Sequence, residues 1–202
     1  MDLYLLYRKA INKYVHLLYN PINKLSFKLN KVRYGKGLKT RGKIYIMRHY
    51  GTAKIVLGDN TSINSAGWAN PIGCGDRTYF QMLDGATVTI GDYCGISNAS
   101  FTCAERIEIG DHVLLGAGCK LFDTDFHALD YAERIKGNYP GAPIKSAPIV
   151  IEDGAFIGAG SYILKGVHIG KHSIVGAASV VTKDIPDNEI WAGNPAKLIR
   201  KI

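Results

Sequence analysis

The stretch that decides the fold runs from Ile151 to Val181, IEDGAFIGAGSYILKGVHIGKHSIVGAASVV. Aliphatic residues recur in it at every sixth position: Ile151, Ile157, Ile163, Ile169, Val175 and Val181. Small or β-branched residues stand four places after the first five of these: Ala155, Ser161, Val167, Ser173 and Ser179. An α-helix repeats every 3.6 residues and a half-buried strand every two, so a period of six indicates neither. The period predicts short strands joined by tight turns, about three to a coil, stacked as an all-β parallel β-helix.

Fainter copies of the same repeat precede this stretch. One runs through Ile90, Ile96 and Thr102, and then continues one residue out of step through Ile109, Leu115 and Leu121. The earliest traces are Leu57 with Ile63, and before them Val32, Leu38 and Ile44. The coil is therefore expected to cover residues 31–202 as one domain, with an irregular beginning.

The charge is distributed unevenly along the 202 residues, although the net charge is +8. Residues 1–50 contain 12 Lys and Arg against one acid, Asp2, whereas residues 51–202 contain 13 Lys and Arg against 16 acids. The basic character thus belongs to the N-terminal quarter, and no nucleic-acid partner is expected. Four cysteines without a CxxC pair indicate buried thiols in a reducing compartment. With no secretory signal pattern, we expect a cytoplasmic protein.

The N-terminal segment, residues 1–30, has the pattern of a basic amphipathic helix over residues 3–19, ended by Asn20 and Pro21. Its apolar positions are Leu3, Leu6, Tyr7, Ala10, Tyr14, Leu17 and Leu18. Its polar positions are Arg8, Lys9, Asn12, Lys13 and His16. Such a helix either packs on the main body or a neighbouring subunit, or attaches to an anionic membrane surface at the inner face of the membrane.

Between Leu121 and Ile151 the six-residue rule fails, and Gly137, Pro140, Gly141, Pro143 and Pro148 indicate a loop, residues 122–150, that leaves the coil. Long loops on a rigid scaffold often carry function. The loop begins with FDTDFHAL, Phe122 to Leu129, so His127 stands among acidic residues where the repeat breaks off. The remaining histidines fall at turns of the coil or in the basic segment, where solvated side chains are expected.

Five further stretches carry a resemblance to a known family. They are NPIG at Asn70–Gly73, GISN at Gly95–Asn98, DTDFH at Asp123–His127, VVTKDIP at Val180–Pro186 and AGNPAK at Ala192–Lys197. In this order they resemble the hexapeptide-repeat acyltransferases, closest to the sugar and polysaccharide O-acetyltransferases grouped with maltose, galactoside and nodulation-factor acetyltransferases. The resemblance implies a left-handed coil, a homotrimer with active sites between subunits, acetyl-CoA as cosubstrate, a saccharide acceptor and no metal.

The resemblance implies that His127 is the general base that takes the proton from the acceptor hydroxyl. An imidazole titrates near neutral pH, which suits this role, and such a base contributes about 10²–10⁴-fold. Either Asp125 or Asp123 is expected to hold the other ring nitrogen, although both are equally suited to being turn residues.

For the acceptor, the resemblance points to Ser97 or Asn98, between which the register does not decide. Trp68, Arg77 and Tyr79 lie in the irregular segment 66–82, where they form either an acceptor wall or a capping insertion without a ligand.

For coenzyme A, the resemblance points to a groove between coils and to basic residues near the nucleotide phosphates. These residues are Gly158, Ala159, Ala177, Ala178, Lys183, Asn194, Lys197 and Arg200. The alternative for the C-terminal tail, residues 187–202, is that it only ends the coil and covers its open edge.

The same type of coil can carry three other functions. A zinc-dependent carbonic anhydrase needs three converging histidines, which His112, His127, His168 and His172 do not provide. An N-acetyltransferase of an amino sugar or nucleotide-sugar is the enzymatic rival to O-acetylation. A catalytically silent scaffold, docked to a glycan assembly by the basic helix, is the non-enzymatic alternative.

Overall fold

The computed structural model describes residues 2–49, 51–73 and 77–202. Cys74, one of the predicted buried thiols, lies outside these ranges. So do the side chains of several predicted helix positions: Arg8, Lys9, Asn12, Lys13, His16 and Leu17.

The described chain begins with a helix and continues as short strands. Helix α1 spans Leu3–Leu29 and helix α2 spans Tyr131–Arg134, with a 3-10 turn at Pro71–Gly73. The strands of the first half are β1 Arg33–Tyr34, β2 Lys39–Arg41, β3 Tyr45–Arg48, β4 Lys54–Leu57, β5 Ser62–Asn64, β6 Tyr79–Met82, β7 Thr87–Ile90, β8 Gly95–Ser97, β9 Ser100–Cys103 and β10 Arg106–Ile109. Those of the second half are β11 Leu114–Leu115, β12 Lys120–Phe122, β13 Ile149–Ile151, β14 Phe156–Ile157, β15 Tyr162–Leu164, β16 His168–Ile169, β17 Ile174–Val175, β18 Val180–Val181, β19 Glu189–Gly193 and β20 Ala196–Lys201.

These strands stack into three parallel sheets that form the walls of a left-handed β-helix. Sheet A has the order β1-β4-β7-β10-β13-β16, sheet B begins β2-β5-β8-β11-β14-β17, and sheet C contains β3-β6-β9-β12-β15-β18. Each strand therefore pairs with the strand three places later in the chain, as a coil of three strands requires. The six aliphatic residues of the deciding stretch are all at most 1% exposed and line the interior. The predicted fold class is confirmed.

In the earlier, fainter repeat, the predicted inward residue was wrong by one position. Phe101, and not Thr102, stacks on Leu121 in sheet C, and Phe101 is 0% exposed. The strands β6 and β9 have four residues each and turn two side chains inward, as Phe101 and Cys103 show. Phe80 and Phe101 stack at 4.7 Å between ring centroids, so aromatic rings fill this part of the core where the later coils use aliphatic side chains.

The corners between sheets B and C are built by residues with positive φ in successive coils. They are Asn98, Gly118, Gly160 and Ala178, with φ of 48°, 76°, 70° and 56°. The backbone N–H of each donates to a carbonyl of the preceding coil, for example Ala178 to Ala159 at 2.8 Å. A left-handed conformation turns the chain sharply without a long loop, so these corners keep the coils in register.

Helix α1 differs from the prediction because it continues through Pro21 to Leu29. A proline inside a helix costs about 3 kcal/mol, but the second half of α1 is anchored to the first coil. Phe27 is 2% exposed, and the Asn23 side chain donates to the Gly42 carbonyl and accepts from the Ile44 N–H. This burial and hydrogen bonding offset the cost of Pro21.

The first half of α1 does not pack on the main body. Among its described apolar side chains, Leu3, Tyr7, Tyr14 and Leu18 are each more than 60% exposed. The first half of α1 therefore does not pack on its own coil, and its contact with a neighbouring subunit or a membrane surface stays a prediction. No helix of the described chain has the length and apolar character needed to cross a bilayer.

The coil ends in an antiparallel hairpin and is interrupted by an excursion between β12 and β13. Strand β19 continues sheet B beside β17, and β20 folds back to cover the edge of β19. The excursion leaves after β12 and returns at β13. Its base is closed by a bridge between Thr124 and Ser146. The Asp125 N–H also donates to the Lys145 carbonyl and the Ala147 N–H to the Asp123 carbonyl, so the loop is held at both ends.

Candidate functional site

His127 lies at the outer end of a tight turn that begins the excursion. The N–H of His127 donates to the Asp125 carbonyl at 2.7 Å, across Phe126, whose φ is +63°. A left-handed conformation costs a bulky residue about 1–2 kcal/mol. The ring of Phe126 packs edge-on against Phe122 at 5.3 Å, which holds the turn in place. The imidazole at the end of this turn is exposed. Strained backbone of this kind is often found beside functional groups.

Asn138 fixes the orientation and the tautomer of His127. The Asn138 Nδ2 donates to the Phe126 carbonyl at 3.0 Å, and a carbonyl can only accept. The Asn138 Oδ1 therefore faces the imidazole, and it lies 3.0 Å from Nδ1 of His127. Because this amide oxygen also only accepts, Nδ1 of a neutral His127 must carry the proton. The lone pair is then on Nε2, where a general base needs it.

Asp123 does not orient the imidazole, contrary to one of the two expectations. It is 0% exposed, and its carboxylate accepts the backbone N–H groups of Ala104, Glu105 and Arg106 at 2.6–2.8 Å. Its Oδ2 also lies 3.3 Å from the Cys103 sulfur. Asp123 therefore has the alternative role, that of a turn residue, because it closes the turn between β9 and β10 in the coil below.

Asp125 does not contact the imidazole either. Its Oδ1 pairs with the Lys165 ammonium at 2.8 Å, and its Oδ2 is buried without a hydrogen-bond partner. Both side chains are less than 30% exposed, so the pair is partly shielded from water. Asp125 links the start of the loop to the coil above it, and we correct the expectation that it holds the ring nitrogen.

The two acceptor candidates of the GISN stretch lie side by side at the corner after β8. Ser97 is largely buried, and its hydroxyl accepts from Nδ2 of Asn64 at 3.1 Å. Asn98 is 2% exposed, its Nδ2 donates to the Asn70 carbonyl, and its Oδ1 is buried without a partner. Of the two, Ser97 is the more accessible, at 9% exposed. Their contact with an acceptor stays a prediction.

The irregular segment places two of its three candidates together. Tyr79 stacks on Tyr45 with 5.0 Å between ring centroids. The Arg77 guanidinium lies 5.8 Å from the centroid of the Tyr45 ring. Tyr79 is 44% exposed, so the stack presents an aromatic face to solvent. Trp68 is also exposed but lies in a separate turn. Arg77 and Tyr79 thus form one surface around the ring of Tyr45.

The two lysines predicted to bind the nucleotide phosphates share a cavity at the C-terminal end of the coil. Lys183 and Lys197 line a cavity of about 260 Å³ together with Trp191 and Leu198. Two cationic side chains beside an indole ring suit an aromatic base that carries phosphates. Asn194 lies in the turn between β19 and β20, and Arg200 on β20 is exposed but does not line this cavity.

The predicted coenzyme A groove coincides with the corners between sheets B and C. A second cavity, of about 330 Å³, is lined there by Gly118, Ala159 and Gly160 and by the side chain of Tyr162. Ala177 and Ala178 continue the column and are exposed. Gly158 has another role, because a Cβ on it would lie 2.5 Å from the Ala177 nitrogen. Its lack of a side chain is needed for coil stacking.

His127 and this groove lie on opposite edges of sheet C within one chain. The corner at Gly118 precedes β12, and the loop that carries His127 follows it. Three extended residues span roughly 10 Å.

The described cysteines are buried thiols. Burial raises the pKa of Cys94 and of Cys119 to about 11 and the pKa of Cys103 further, so a neutral thiol is favoured at each. Among the described residues no cluster of three metal-ligating side chains occurs.

Asn138 is the residue that sequence reasoning missed. It stands eleven positions after His127, inside a loop with no repeat, and no spacing rule connects the two. The available signal was chemical: a polar amide in the same excursion as the base. Lys165 was also missed, since its partner Asp125 had been assigned to the imidazole.

Comparison with known proteins agrees with this architecture. Residues 148–183 match the family model described as bacterial transferase hexapeptide (six repeats). A putative acetyltransferase of Schizosaccharomyces pombe is 45% identical over 105 residues, which are 52% of this chain and 48% of that protein. The galactoside O-acetyltransferase of Lactococcus lactis is 40% identical over 127 residues, 61% of this chain and 58% of that protein. The chain thus matches about half the length of these curated relatives.

A solved structure covers nearly the whole fold. The hexapeptide-repeat acetyltransferase of Vibrio cholerae O1 biovar eltor, complexed with acetyl coenzyme A, has a TM-score of 0.57 and 26% sequence identity. The match covers 96% of this chain and 87% of that one. By its repeat, its coil and these relatives, the chain is similar to the hexapeptide-repeat transferases.

Proposed function

We propose that this chain transfers an acetyl group from acetyl-CoA to a hydroxyl of a saccharide, with His127 as the general base. The observation that carries the proposal is the hydrogen-bond chain from Phe126 through Asn138 to His127, which leaves Nε2 free to accept a proton. The likeness to an acetyltransferase that binds acetyl-CoA and to a galactoside O-acetyltransferase supports the donor and the acceptor class.

In the proposed reaction, Nε2 of His127 takes the proton of the acceptor hydroxyl as its oxygen attacks the thioester carbonyl. The tetrahedral intermediate collapses with cleavage of the carbon–sulfur bond, and the imidazolium returns the proton to the coenzyme A thiolate. Charge and atoms balance without a metal. Arg77 and Tyr79 would offer the acceptor an aromatic face and a hydrogen-bond fork, while Lys183 and Lys197 would hold the nucleotide phosphates.

The proposal includes a homotrimer. Since His127 and the groove at Gly118 lie on opposite edges of sheet C, one chain does not bring the base to its own groove, and a neighbouring copy would complete the site. The exposed first half of α1, in a segment with 12 Lys and Arg against one acid, supports a second proposal: contact with an anionic membrane surface. A polysaccharide assembled at that surface would be the acceptor.

The central experiment measures thiol release from acetyl-CoA against a panel of neutral and amino sugars. We expect neutral glycans to be acetylated and His127→Ala to lower kcat by about 10²–10⁴-fold. Near-normal turnover by His127→Ala would remove the base from the mechanism. Preference for glucosamine-type acceptors would instead support N-acetylation. Mixing His127→Ala chains with Lys183→Ala chains tests the shared site, because mixed trimers should regain activity.

A further inference from the structure

A second basic cavity lies at the opposite end of the β-helix from the proposed nucleotide pocket. Its volume is about 240 Å³, and it lies between the end of α1, strand β1 and the start of β4. Four cationic side chains line it: Lys31, Arg33, Arg48 and Lys54. About four coil levels at roughly 4.8 Å each separate β4 from the last coil, so the two basic cavities are about 20 Å apart.

Arg48 supplies a fixed positive charge to this cavity. Its guanidinium donates to the carbonyls of Asn30 at 2.8 Å, Ala53 at 2.6 Å and Gly51 at 2.5 Å. These partners are neutral, and its Nε is buried without a partner. The guanidinium is therefore held in one position while its charge is not balanced by a carboxylate, which raises the positive potential of the cavity.

The other three cations stand exposed around the opening. Among the described residues, Lys31, Arg33 and Lys54 make no ion pair with a carboxylate. The carboxylate of Asp84 accepts a hydrogen bond from the hydroxyl of the lining residue Thr52. The described part of the lining itself contains four cations and no carboxylate. The cavity is thus a local concentration of positive charge.

We propose that this cavity binds a phosphate group. The guanidinium fork of Arg33 can take two oxygens of a tetrahedral anion, Arg48 adds a fixed positive charge, and two lysines add point charges that suit more than one negative charge. The phosphate would come either from an anionic phospholipid headgroup or from a soluble pyrophosphate-bearing molecule. Helix α1 ends two residues before Lys31, and the exposed side chains of Leu25 and Leu29 in its last two turns would lie beside a phospholipid source.

The test compares two charge reversals of equal size in the full-length protein. Arg33→Glu with Lys54→Glu changes the opening of the cavity, whereas Lys36→Glu with Lys39→Glu changes exposed residues of the same basic segment that do not line it. Arg48 is left intact because it holds the 51–53 loop. A milder pair, Lys31→Gln with Lys54→Gln, provides a variant whose folding is least disturbed.

The first probe is inorganic pyrophosphate, with binding followed by isothermal titration calorimetry. We expect the cavity pair to weaken binding about tenfold or more and the control pair to change it little. Equal losses in both pairs, or no binding of either probe by the unaltered protein, would overturn the proposal. The second probe is phosphatidylcholine vesicles with and without phosphatidylglycerol. Anion-dependent co-sedimentation that the cavity pair abolishes identifies the lipid source; pyrophosphate binding without co-sedimentation identifies the soluble one.

Discussion

Replacing Asn138 by alanine tests the positioning of the proposed base. The change removes the acceptor that lies 3.0 Å from Nδ1 of His127 and also the donor to the Phe126 carbonyl. A net hydrogen bond is worth about 1–2 kcal/mol, and about 1.4 kcal/mol corresponds to a tenfold change in rate. We therefore expect kcat to fall roughly 5- to 30-fold with little change in KM, a smaller loss than removal of His127 itself.

The aspartate variant separates the two hydrogen bonds of Asn138. A carboxylate at this position still accepts from Nδ1–H, but it cannot donate to the Phe126 carbonyl. If the contact with His127 is what matters, Asn138→Asp recovers most of the lost kcat. A negative charge beside the ring also favours the imidazolium, so the acid limb of the pH–rate profile should move to higher pH.

The assay is steady-state thiol release from acetyl-CoA across a pH series. Full activity in Asn138→Ala would refute the positioning role. An Asn138→Asp enzyme as poor as the alanine variant, with an unmoved pH profile, would assign the effect to the Phe126 bond and to loop structure instead. Because Asn138 is exposed, neither variant is expected to disturb the coil, which circular dichroism can verify.

Three further predictions concern the scaffold. Asp123→Ala removes the acceptor of three partly buried N–H groups, at about 1 kcal/mol each, so urea unfolding should show a loss of about 3 kcal/mol. A fully stable variant that loses only activity would return Asp123 to the catalytic set. Gly158→Ala places a Cβ 2.5 Å from the Ala177 nitrogen and should lower the free energy of unfolding by about 3 kcal/mol. The control Gly160→Ala meets open space at φ +70° and should lower it by about 1 kcal/mol. Equal losses would contradict the stacking role of Gly158. Burial raises the pKa of Cys94 and Cys119 to about 11 from 9.0, so iodoacetamide at pH 8 should spare both in the native protein, and the stability they contribute, full below pH 9, should decline as the pH rises through 11.

The coil was predictable because its determinant is local and repeated. Each inward residue of the deciding stretch meets the same surroundings one coil later, so a six-residue period survives in the sequence. Where strands turn two side chains inward, as at Phe101 and Cys103, the period shifts and a one-residue error follows. The extent of α1 was not predictable from Pro21, since the burial of Asn23 and Phe27 against the first coil outweighs the local preference.

The site was predictable only in part, because the loop that carries it has no repeat. His127 was found because it begins the interruption of the repeat. Its partner was assigned to the nearest acids in the chain, yet Asp123 and Asp125 are held by the coils below and above the loop. An acid that serves the scaffold cannot also turn toward the base, so the loop must supply the partner from its own far side. Asn138 does so with an uncharged oxygen, which fixes the tautomer of His127 without adding a negative charge beside it. A neutral positioning residue leaves the imidazole free to change its charge during the reaction, and the Asn138→Asp pH profile measures what that neutrality is worth.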